Sequence, residues 1–175
     1  NNTLLVIALV WQEPASTAAG VRMMQLLDVF QKQEYSITIA SAASKSEFSF
    51  DFDSLGYKMK AIKMNDNSFD VFVKELNPNV VLFDRFLTEE QFGWRVAENC
   101  PDAIRILDTE DLHSLRHVRE QCFKKGIVFT IDTWLKDDKT KREIASIYRC
   151  DLSLIISSFE WELLTNVIKI SKSLF

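Results

Sequence analysis

The densest group of ionisable side chains in this sequence is the stretch LDTEDLHSLRHVRE at residues 107–120. A histidine next to carboxylates can take a proton from a hydroxyl group or donate a hydrogen bond to one. His113 follows Asp108 and Asp111 closely in this stretch. We therefore predict His113 and Asp111 as catalytic candidates and Asp108 as a residue that lines the site.

His113 and His117 are the only histidines of the chain and are spaced four residues apart. This spacing places both on one face of a helix, but the sequence lacks the glutamate of the H-E-x-x-H zinc motif. We therefore predict no metal site. His117, Arg116 and Arg119 are predicted to form a solvated helix face that pairs with Glu120.

A second pair of charged residues, Asp84 and Arg85, follows the apolar run Val80–Phe83 directly. These two residues can pair with each other or contact a ligand, and an aspartate at a strand end can also cap the following turn. Glu13 follows the first apolar run, Leu4–Trp11, in the same way. The sequence thus places ionisable groups directly after several apolar segments.

The loop Ser16-Thr17-Ala18-Ala19-Gly20 joins the first apolar run to an amphipathic segment. Small residues at a helix N-terminus let a phosphate approach the free N–H groups, where the helix dipole favours negative charge. The loop matches neither the dinucleotide-binding nor the P-loop motif. The alternative is a tight turn in which Gly20 permits close packing. Arg22 opposes the dipole, so it either pairs with a carboxylate or a ligand or is solvated.

Alternating apolar runs and amphipathic segments predict an α/β fold with a mostly parallel sheet of six or seven strands between helical layers, a Rossmann-like domain. The predicted strands are Leu4–Val10, Ser36–Ala40, Lys58–Lys63, Val80–Phe83, Ala103–Leu107 and Leu152–Ile156, and the predicted helices are 20–33, 68–76, 89–99, 111–124, 141–149 and 159–173. Capping boxes are predicted at Thr88, Thr140 and Ser157. Residues 44–53 fit a short helix or a loop, and residues 126–138 an extra strand or an extended insertion.

In such a sheet, ligands bind outside the carboxyl ends of the strands, near the point where the strand order reverses. The candidate residues all follow predicted strands, so we expect them to meet at this edge. Trp11 lies beside the same edge; we predict a packing role for it, with stacking on a sugar ring as the alternative.

Composition restricts the function further. The 175 residues fit one domain, and a net charge of −4 argues against a dedicated nucleic-acid binder. No apolar run is long enough to span a bilayer, and the first run lacks the features of a signal peptide. The three cysteines have neither disulfide nor zinc spacing, which indicates buried thiols in a cytoplasmic protein.

Four segments in order, WQEPASTAAGVRM, NPNVVLFDRF, ILDTEDLHSLR and YRCDLSLIISSFEWELL, resemble the N-terminal domain of GT-B-fold glycosyltransferases, closest to the bacterial group-1 type. The resemblance covers nearly all of residues 1–175. It implies that this is the acceptor-binding half of a two-domain enzyme whose C-terminal domain, absent from this sequence, binds most of the nucleotide-sugar donor. It also implies transfer to a hydroxyl acceptor without a bound metal or other cofactor.

The resemblance further implies residue roles. Ala19, Gly20 and Arg22 would face the donor phosphates across the interdomain cleft, and Asp111 and His113 would lie beside the reacting sugar. Acceptor-binding roles fall to Glu13, Asp84, Arg85 and Asp108. Many such enzymes act on lipid-linked acceptors, so peripheral membrane contact stays open, although no basic amphipathic helix is evident.

Two positions depart from the family pattern. Gln12 stands where relatives often have proline, and Glu34 stands where they often have glycine. If position 34 requires a positive φ, a glutamate there costs about 1 kcal/mol relative to glycine. We expect neither departure to touch the chemistry of the site.

Two other functions compete with the transferase. A flavodoxin-like regulatory module would need paired acids at the end of the first strand and a lysine that ends a later strand. A different GT-B-like enzyme, such as a sugar-nucleotide epimerase, would share this domain. Neither end of the sequence carries a clear terminator, so we expect the chain to be a piece of a longer protein.

Overall fold

A parallel six-stranded sheet forms the centre of the molecule in a computed structural model that describes residues 2–13, 17–45 and 49–168. The strands are β1 (Thr3–Ala8), β2 (Ser36–Ser41), β3 (Lys58–Ala61), β4 (Val80–Asp84), β5 (Ile104–Asp108) and β6 (Leu152–Leu154). Their order is β3-β2-β1-β4-β5-β6, and every neighbouring pair is parallel. The predicted α/β, Rossmann-like fold is confirmed.

Helices cover both faces of the sheet. They are α1 (Ala18–Lys32), α2 (Ser68–Leu76), α3 (Arg85–Asn99), α4 (His113–Lys125), α5 (Ile131–Lys136), α6 (Asp138–Arg149) and α7 (Ser158–Val167), with a short 3-10 helix at Phe52–Leu55. Alternate residues of β1 enter different cores, because successive strand residues point to opposite faces. Leu4 packs in the core that contains Met23 of α1, and Leu5 packs in the core that contains Phe92 of α3.

Several predicted helix starts are wrong. Thr88 lies inside α3, where its hydroxyl donates to the carbonyls of Asp84 and Arg85, and Thr140 lies inside α6, which Asp137 caps. Both helices begin earlier than the capping-box pattern predicted. The Asp137 side chain caps α6, whereas Asp84 occupies the N-cap position of α3 without a side-chain capping hydrogen bond. Only Ser157 serves as the predicted N-cap, accepting from the backbone N–H of Glu160.

The structure describes residues 126–138 in full and residues 44–53 in part, the two segments for which the sequence left alternatives open. Residues 126–138 contain helix α5, with Thr130 as N-cap, so the extra strand considered for this segment is wrong. Within residues 44–53, the 3-10 helix begins only at Phe52, and residues 46–48 lie outside the described chain.

Glu34 adopts a φ of 60° just after the last turn of α1, so this position does require the left-handed backbone that favours glycine. Asn77 ends α2 with a φ of 43°, as expected where Pro78 follows. All three cysteines are free and buried, as predicted. No helix in the described ranges has both the length and the apolar character needed to cross a bilayer.

The sheet has its topological switch point between β1 and β4, which are hydrogen-bonded neighbours. The chain leaves β1 into α1 on one face and leaves β4 into α3 on the other face. Such a divergence opens a crevice at the carboxyl edge of the sheet. The candidate residues are positioned around this crevice.

Candidate functional site

Two buried aspartates end neighbouring strands at the carboxyl edge. Asp84 of β4 and Asp108 of β5 are register partners, and their exposed fractions are 0% and 1%. Ionised carboxylates in such positions need compensating partners, because burial removes their hydration. The structure supplies one arginine to each, and the two pairs form the centre of the candidate site.

Asp84 is held from three directions. Its Oδ2 accepts from the backbone N–H of Leu9 at 3.2 Å and from Nε2 of Gln12 at 3.5 Å. Its Oδ1 lies 3.4 Å from Nε of Arg85. Burial raises the pKa of Asp84 to about 7; Arg85 opposes this shift, and the nearby carboxylates of Glu110 and Asp108 reinforce it. Burial thus favours the protonated form of Asp84, while Arg85 and the Leu9 N–H favour the ionised form.

Arg85 connects Asp84 to Glu110. Its Nε lies 2.8 Å from Oε2 of Glu110. Both Arg85 and Glu110 have positive φ, at 72° and 58°. Bulky residues rarely adopt this backbone, and such strain concentrates at functional sites. Glu110 was not among the residues singled out from the sequence, since nothing in its local pattern shows that Arg85 lies opposite.

Arg22 is held by a carboxylate rather than solvated. Its Nη2 donates to Oδ1 of Asp108 at 2.9 Å, although the two residues are 86 positions apart. Arg22, the fifth residue of α1, thus lies over the end of β5. This contact links α1 on one face of the sheet to the strand-end loop that precedes His113.

His113 begins α4 with both ring nitrogens close to charged side chains. Its Nε2 lies 3.2 Å from Oδ1 of Asp111, and its Nδ1 lies 2.9 Å from Nη2 of Arg116. A guanidinium can only donate, so Nδ1 accepts and the proton of the neutral ring is on Nε2. Burial lowers the pKa of His113, with Asp111 opposing that shift. The ring can serve as a base only after Arg116 releases Nδ1.

The predicted helix face around His117 differs from the contacts observed. Glu120 pairs with Lys124, and Arg116 pairs with Asp111. Arg119 lies over the rings of Phe129 and Phe159. The face is held together by contacts to neighbouring segments rather than by pairing with Glu120.

Two glutamates from later helices, buried Glu143 and half-buried Glu160, fix the start of α4. Glu143 of α6 accepts from the backbone N–H groups of His113 and Ser114 and from the Ser114 hydroxyl. Glu160 of α7 accepts from the backbone N–H of Leu112 at 3.1 Å. A helix N-terminus attracts carboxylates because its first N–H groups lack intrahelical partners. Both residues were missed in the sequence, since their contacts lie at least 29 positions away.

A cleft of about 300 Å³ opens beside this network. It is lined by Val10, Trp11, Gln12, Glu13, Thr17, Ala19 and Arg85. The cleft follows β1 and lies at the switch point, so it is the place where the topology predicts a ligand. Of the predicted site residues, Glu13, Ala19 and Arg85 line it, and Asp84 lies beneath it, in contact with Gln12 and Arg85.

Gly20 has a packing role in the structure. A Cβ at this position would lie 2.9 Å from Oγ1 of Thr17 and 3.0 Å from the carbonyl oxygen of Glu13. The Gly20 N–H donates to the Thr17 hydroxyl, which caps α1. These contacts account for a glycine here by close packing; the donor-phosphate role of Ala19, Gly20 and Arg22 stays a prediction.

Gln12 differs from expectation, whereas Trp11 does not. Gln12 was expected not to touch the chemistry, but it lines the cleft and contacts Asp84. Trp11 is buried, and its Nε1 donates to the carbonyl of Ala43 at 2.8 Å, which fits the predicted packing role. In the described part of the chain, no three His, Cys, Asp or Glu side chains are placed to bind a metal ion.

No protein-family model and no curated protein sequence matches this chain. Solved structures do match its fold. Sucrose-phosphate synthase from Thermosynechococcus elongatus superimposes with a TM-score of 0.62 at 13% identity, over 99% of this chain and 47% of that protein. The lipopolysaccharide outer core galactosyltransferase WaaB gives a TM-score of 0.58 at 10% identity, over 100% of this chain and 44% of that protein.

An alpha-glucosyltransferase in complex with UDP-glucose and DNA gives a TM-score of 0.54 at 11% identity, over 99% of this chain and 42% of that protein. The chain therefore spans less than half the length of each of these three glycosyltransferases. At this level of identity the likeness shows the fold: the chain has the Rossmann-like architecture of about one half of a GT-B glycosyltransferase.

Proposed function

We propose that this chain is the N-terminal, acceptor-side domain of a GT-B glycosyltransferase that moves a sugar from a nucleotide-sugar donor to a hydroxyl acceptor. The observation that carries the proposal is the cleft at the switch point, underlain by Asp84 and bordered by Arg85, in a fold whose solved neighbours are glycosyltransferases. A second domain would close over this cleft and bring the donor with it, as transfer in a water-excluded site requires.

The acceptor hydroxyl has a proton acceptor close at hand in this arrangement. When Gln12 moves aside, Asp84 takes the proton of the acceptor hydroxyl, the acceptor oxygen bonds to the sugar, and the nucleoside diphosphate leaves. Glu13 and Arg85 hold the acceptor. His113 and Asp111 lie further along the same edge and contact the reacting sugar. Ala19, Gly20 and Arg22 face the donor diphosphate, and no metal or other cofactor takes part.

The charge of the edge favours an acceptor without phosphate groups. Both guanidinium groups are already paired, Arg22 with Asp108 and Arg85 with Glu110 and Asp84. An anionic acceptor would have to displace a carboxylate from one of these pairs. Neutral hydroxyl compounds and amino sugars meet no such cost.

Nucleic acid is one acceptor class to include in the test. Some solved neighbours are alpha-glucosyltransferases in complex with DNA. The net charge of −4 and the acidic edge oppose a polyanion in this chain. We therefore expect DNA to be a poor acceptor.

The regulatory-module alternative finds less support in the arrangement of the strand ends. It requires paired acids after β1, whereas the acidic pair ends β4 and β5 and is neutralised by arginines. The strands that the structure describes end in alanine, serine, aspartate or leucine, not in lysine. An epimerase would share this half, so the sequence of the second domain distinguishes it.

The test is a steady-state comparison in the full-length protein of Arg85→Gly with the wild type. Glycine accepts the positive φ of position 85 and removes the whole side chain with its guanidinium. Loss of a charge-assisted contact of about 1.5–3 kcal/mol raises the acceptor KM about tenfold or more. The donor KM should stay within about twofold, because an unchanged interaction leaves binding unchanged.

Lys32→Ala is the matched control, since Lys32 forms only an exposed ion pair with Asp28. It should change neither KM. An unchanged acceptor KM in Arg85→Gly would contradict the proposal that the cleft binds the acceptor.

A further inference from the structure

Arg85 and Glu110 form an ion pair at the carboxyl edge, and both partners have a left-handed backbone. Their φ values are 72° and 58°, in a region that long side chains rarely adopt because it is unfavourable for the backbone. Among the described residues, the other non-glycine residues with positive φ are Glu34, Asn65 and Asn77, of which the two asparagines tolerate this conformation. Two unfavourable backbone positions therefore meet in a single side-chain contact.

The contact between the two side chains is close and largely shielded from water. Nε of Arg85 lies 2.8 Å from Oε2 of Glu110, and Nη2 of Arg85 donates to Oε1 of Glu110 at 3.5 Å. The two side chains are only 18% and 13% exposed. Solvent screens a pair of this kind less than it screens a pair on the open surface, so Glu110 restrains the guanidinium.

Asp84 offers the same guanidinium a second carboxylate. Oδ1 of Asp84 lies 3.4 Å from Nε of Arg85, and both atoms are buried. Nε lies near both carboxylates, yet its N–H forms no hydrogen bond to any residue that the structure describes, and Oδ1 of Asp84 accepts none from these residues. A buried donor and a buried acceptor this close normally turn toward each other. The guanidinium is therefore held in an orientation that Asp84 alone would not give it.

The backbone that carries Glu110 is fixed by contacts to neighbouring elements. The Glu110 N–H donates to Oδ1 of Asp108 at 3.3 Å, the same oxygen that accepts from Arg22. The hydroxyl of Thr109 donates to the carbonyl of Leu154 in β6 at 2.8 Å. The loop after β5 is thus attached to α1 and β6, so its glutamate is a fixed acceptor for the guanidinium.

We propose that Glu110 is a positioning residue, which holds the Arg85 guanidinium at the wall of the cleft and keeps it from turning down onto Asp84. The inference rests on the proposed function, because the acceptor is the ligand that Arg85 is proposed to hold. Arg85 lines the cleft, and Asp84 lies beneath it. Without the Glu110 carboxylate, Nε of Arg85 turns to Oδ1 of Asp84, and the guanidinium leaves the cleft wall.

The same displacement changes the proton affinity of Asp84. The groups that face its carboxyl from the surrounding elements are the Leu9 N–H, the Gln12 amide, Arg85, Asp108 and Glu110. Arg85 lowers the pKa of Asp84, and Glu110 raises it. Loss of the Glu110 charge and a closer guanidinium therefore act in the same direction, toward a lower pKa of Asp84.

The first experiment is an NMR titration of the Asp84 carboxyl in the full-length protein, with its signal identified by comparison with Asp84→Asn. In Glu110→Gln, the pKa of Asp84 should fall by about 1 or more below its wild-type value of about 7. Glutamine keeps the shape of the side chain and removes its charge. The acid limb of the kcat/KM profile should move to lower pH by the same amount, because Asp84 acts as a base in its ionised form.

The second experiment is a double-mutant cycle on KM values, with UDP-glucose as donor and methyl glycosides of hexoses and amino sugars as acceptors. Glu110→Gly removes the side chain and accepts the φ of 58°. This variant and Glu110→Gln should each raise the acceptor KM about threefold to tenfold and leave the donor KM within about twofold. In the Arg85→Gly background neither should raise the acceptor KM further, because the guanidinium to be positioned is absent.

Glu34→Gly is the matched control for both experiments. Glu34 is an exposed glutamate with a φ of 60° that follows α1 and precedes β2, at the opposite edge of the sheet. The substitution removes the same side chain from the same kind of backbone. It should therefore change neither KM value nor the pKa of Asp84.

Three results would overturn the positioning role of Glu110. One is an unchanged pKa of Asp84 in Glu110→Gln, and another is an equal rise of the acceptor KM with and without Arg85. The third is the same change in Glu34→Gly. Failure of the proposed function looks different: the wild type transfers no sugar, or Arg85→Gly alone leaves the acceptor KM unchanged. The NMR titration then still decides whether Glu110 holds the guanidinium away from Asp84.

Discussion

Opposing electrostatic interactions act on the carboxyl group of Asp84. It is fully buried, and it has an arginine on one side and two further carboxylates nearby. Burial and like charge both favour the protonated form, while Arg85 and the Leu9 N–H favour the ionised form. The balance leaves the pKa at about 7, close to the pH at which the protein would work. A carboxyl with a pKa in this range can accept a proton during a reaction, but its burial lowers the stability of the folded protein.

The cost can be measured as a pH dependence of unfolding. An Asp84 carboxyl with a folded pKa of about 7 and an unfolded pKa near 4 keeps its proton in the folded state across this range. Unfolding therefore releases a proton, and stability falls as the pH rises from about 4 to about 7. Above that range the contribution is constant.

Asp84→Asn should remove this contribution, because asparagine keeps the shape and an acceptor oxygen but does not titrate. Relative to the wild type, the variant should gain about 1 kcal/mol or more between pH 4 and pH 7, as urea unfolding at several pH values measures. Subtracting the two curves cancels Glu143 and Glu160, whose pKa values burial also raises. A difference that does not vary with pH would contradict the raised pKa.

The sequence predicted which residues meet at this edge but not how they pair. Asp84, Arg85 and Asp108 were expected there because each follows an apolar run, and strands of a parallel sheet end at one edge. The partnership of Arg22 with Asp108 spans 86 positions, so no local pattern reveals it. Gln12 was predicted not to touch the site. Its contact with Asp84 depends on the pairing of β1 with β4, which no local pattern in the sequence reveals.

At the scale of elements, carboxylates from α6 and α7 accept hydrogen bonds from the backbone N–H groups at the start of α4. It has no side-chain N-cap of its own, because Leu112 occupies that position. Glu143 supplies acceptors to the first N–H groups of α4, and the Ser114 hydroxyl that it holds accepts from Nε1 of Trp134. One buried carboxylate thus joins α4, α5 and α6.

Glu143→Ala should destabilise the protein by about 2–4 kcal/mol, because it leaves several buried donors without a partner. Glu143→Gln should cost less, since an amide oxygen still accepts one of these bonds. Glu120→Ala is the matched control on α4: its exposed pair with Lys124 should contribute within about 0.5 kcal/mol. Urea unfolding measures all three, and equal losses for Glu143→Ala and Glu120→Ala would refute the bracing role.

Element prediction succeeded where apolar periodicity was strong and failed at helix starts. The strands β1 and β4 are nearly continuous apolar runs, and β2 combines apolar residues with Ser and Thr; all three were placed within two residues of their observed ends. Thr88 and Thr140 gave capping boxes that the structure does not use, because α3 begins at Arg85 and α6 begins at Asp138, which Asp137 caps. Helix α5 was missed because its six residues are too few to show a period.

At the scale of the whole molecule, the candidate site lies at the carboxyl edge of the sheet. This edge carries the cleft, two arginines and the buried aspartates. The proposed second domain would close over this edge and exclude water from the cleft.

The two-domain proposal makes a prediction about activity. The solved glycosyltransferases that share this fold are more than twice as long as the region they share with this chain. Donor binding and closure are proposed to come from the second half, so residues 1–175 alone should release no nucleoside diphosphate from nucleotide sugars, with or without acceptor. The full-length protein should release it, and an acceptor should speed the release because transfer consumes the sugar.

The isolated domain must be folded for its inactivity to carry meaning. Its urea unfolding should be cooperative, and Asp84→Asn should shift the pH dependence there as it does in the full-length protein. The second domain, added as a separate chain, should restore part of the activity, although far below that of the linked protein, because linkage supplies a high effective concentration. Transfer by the isolated domain at the full-length rate would place all the chemistry within this one sheet edge and would require Asp84, Arg85 and His113 to bind the donor as well as the acceptor.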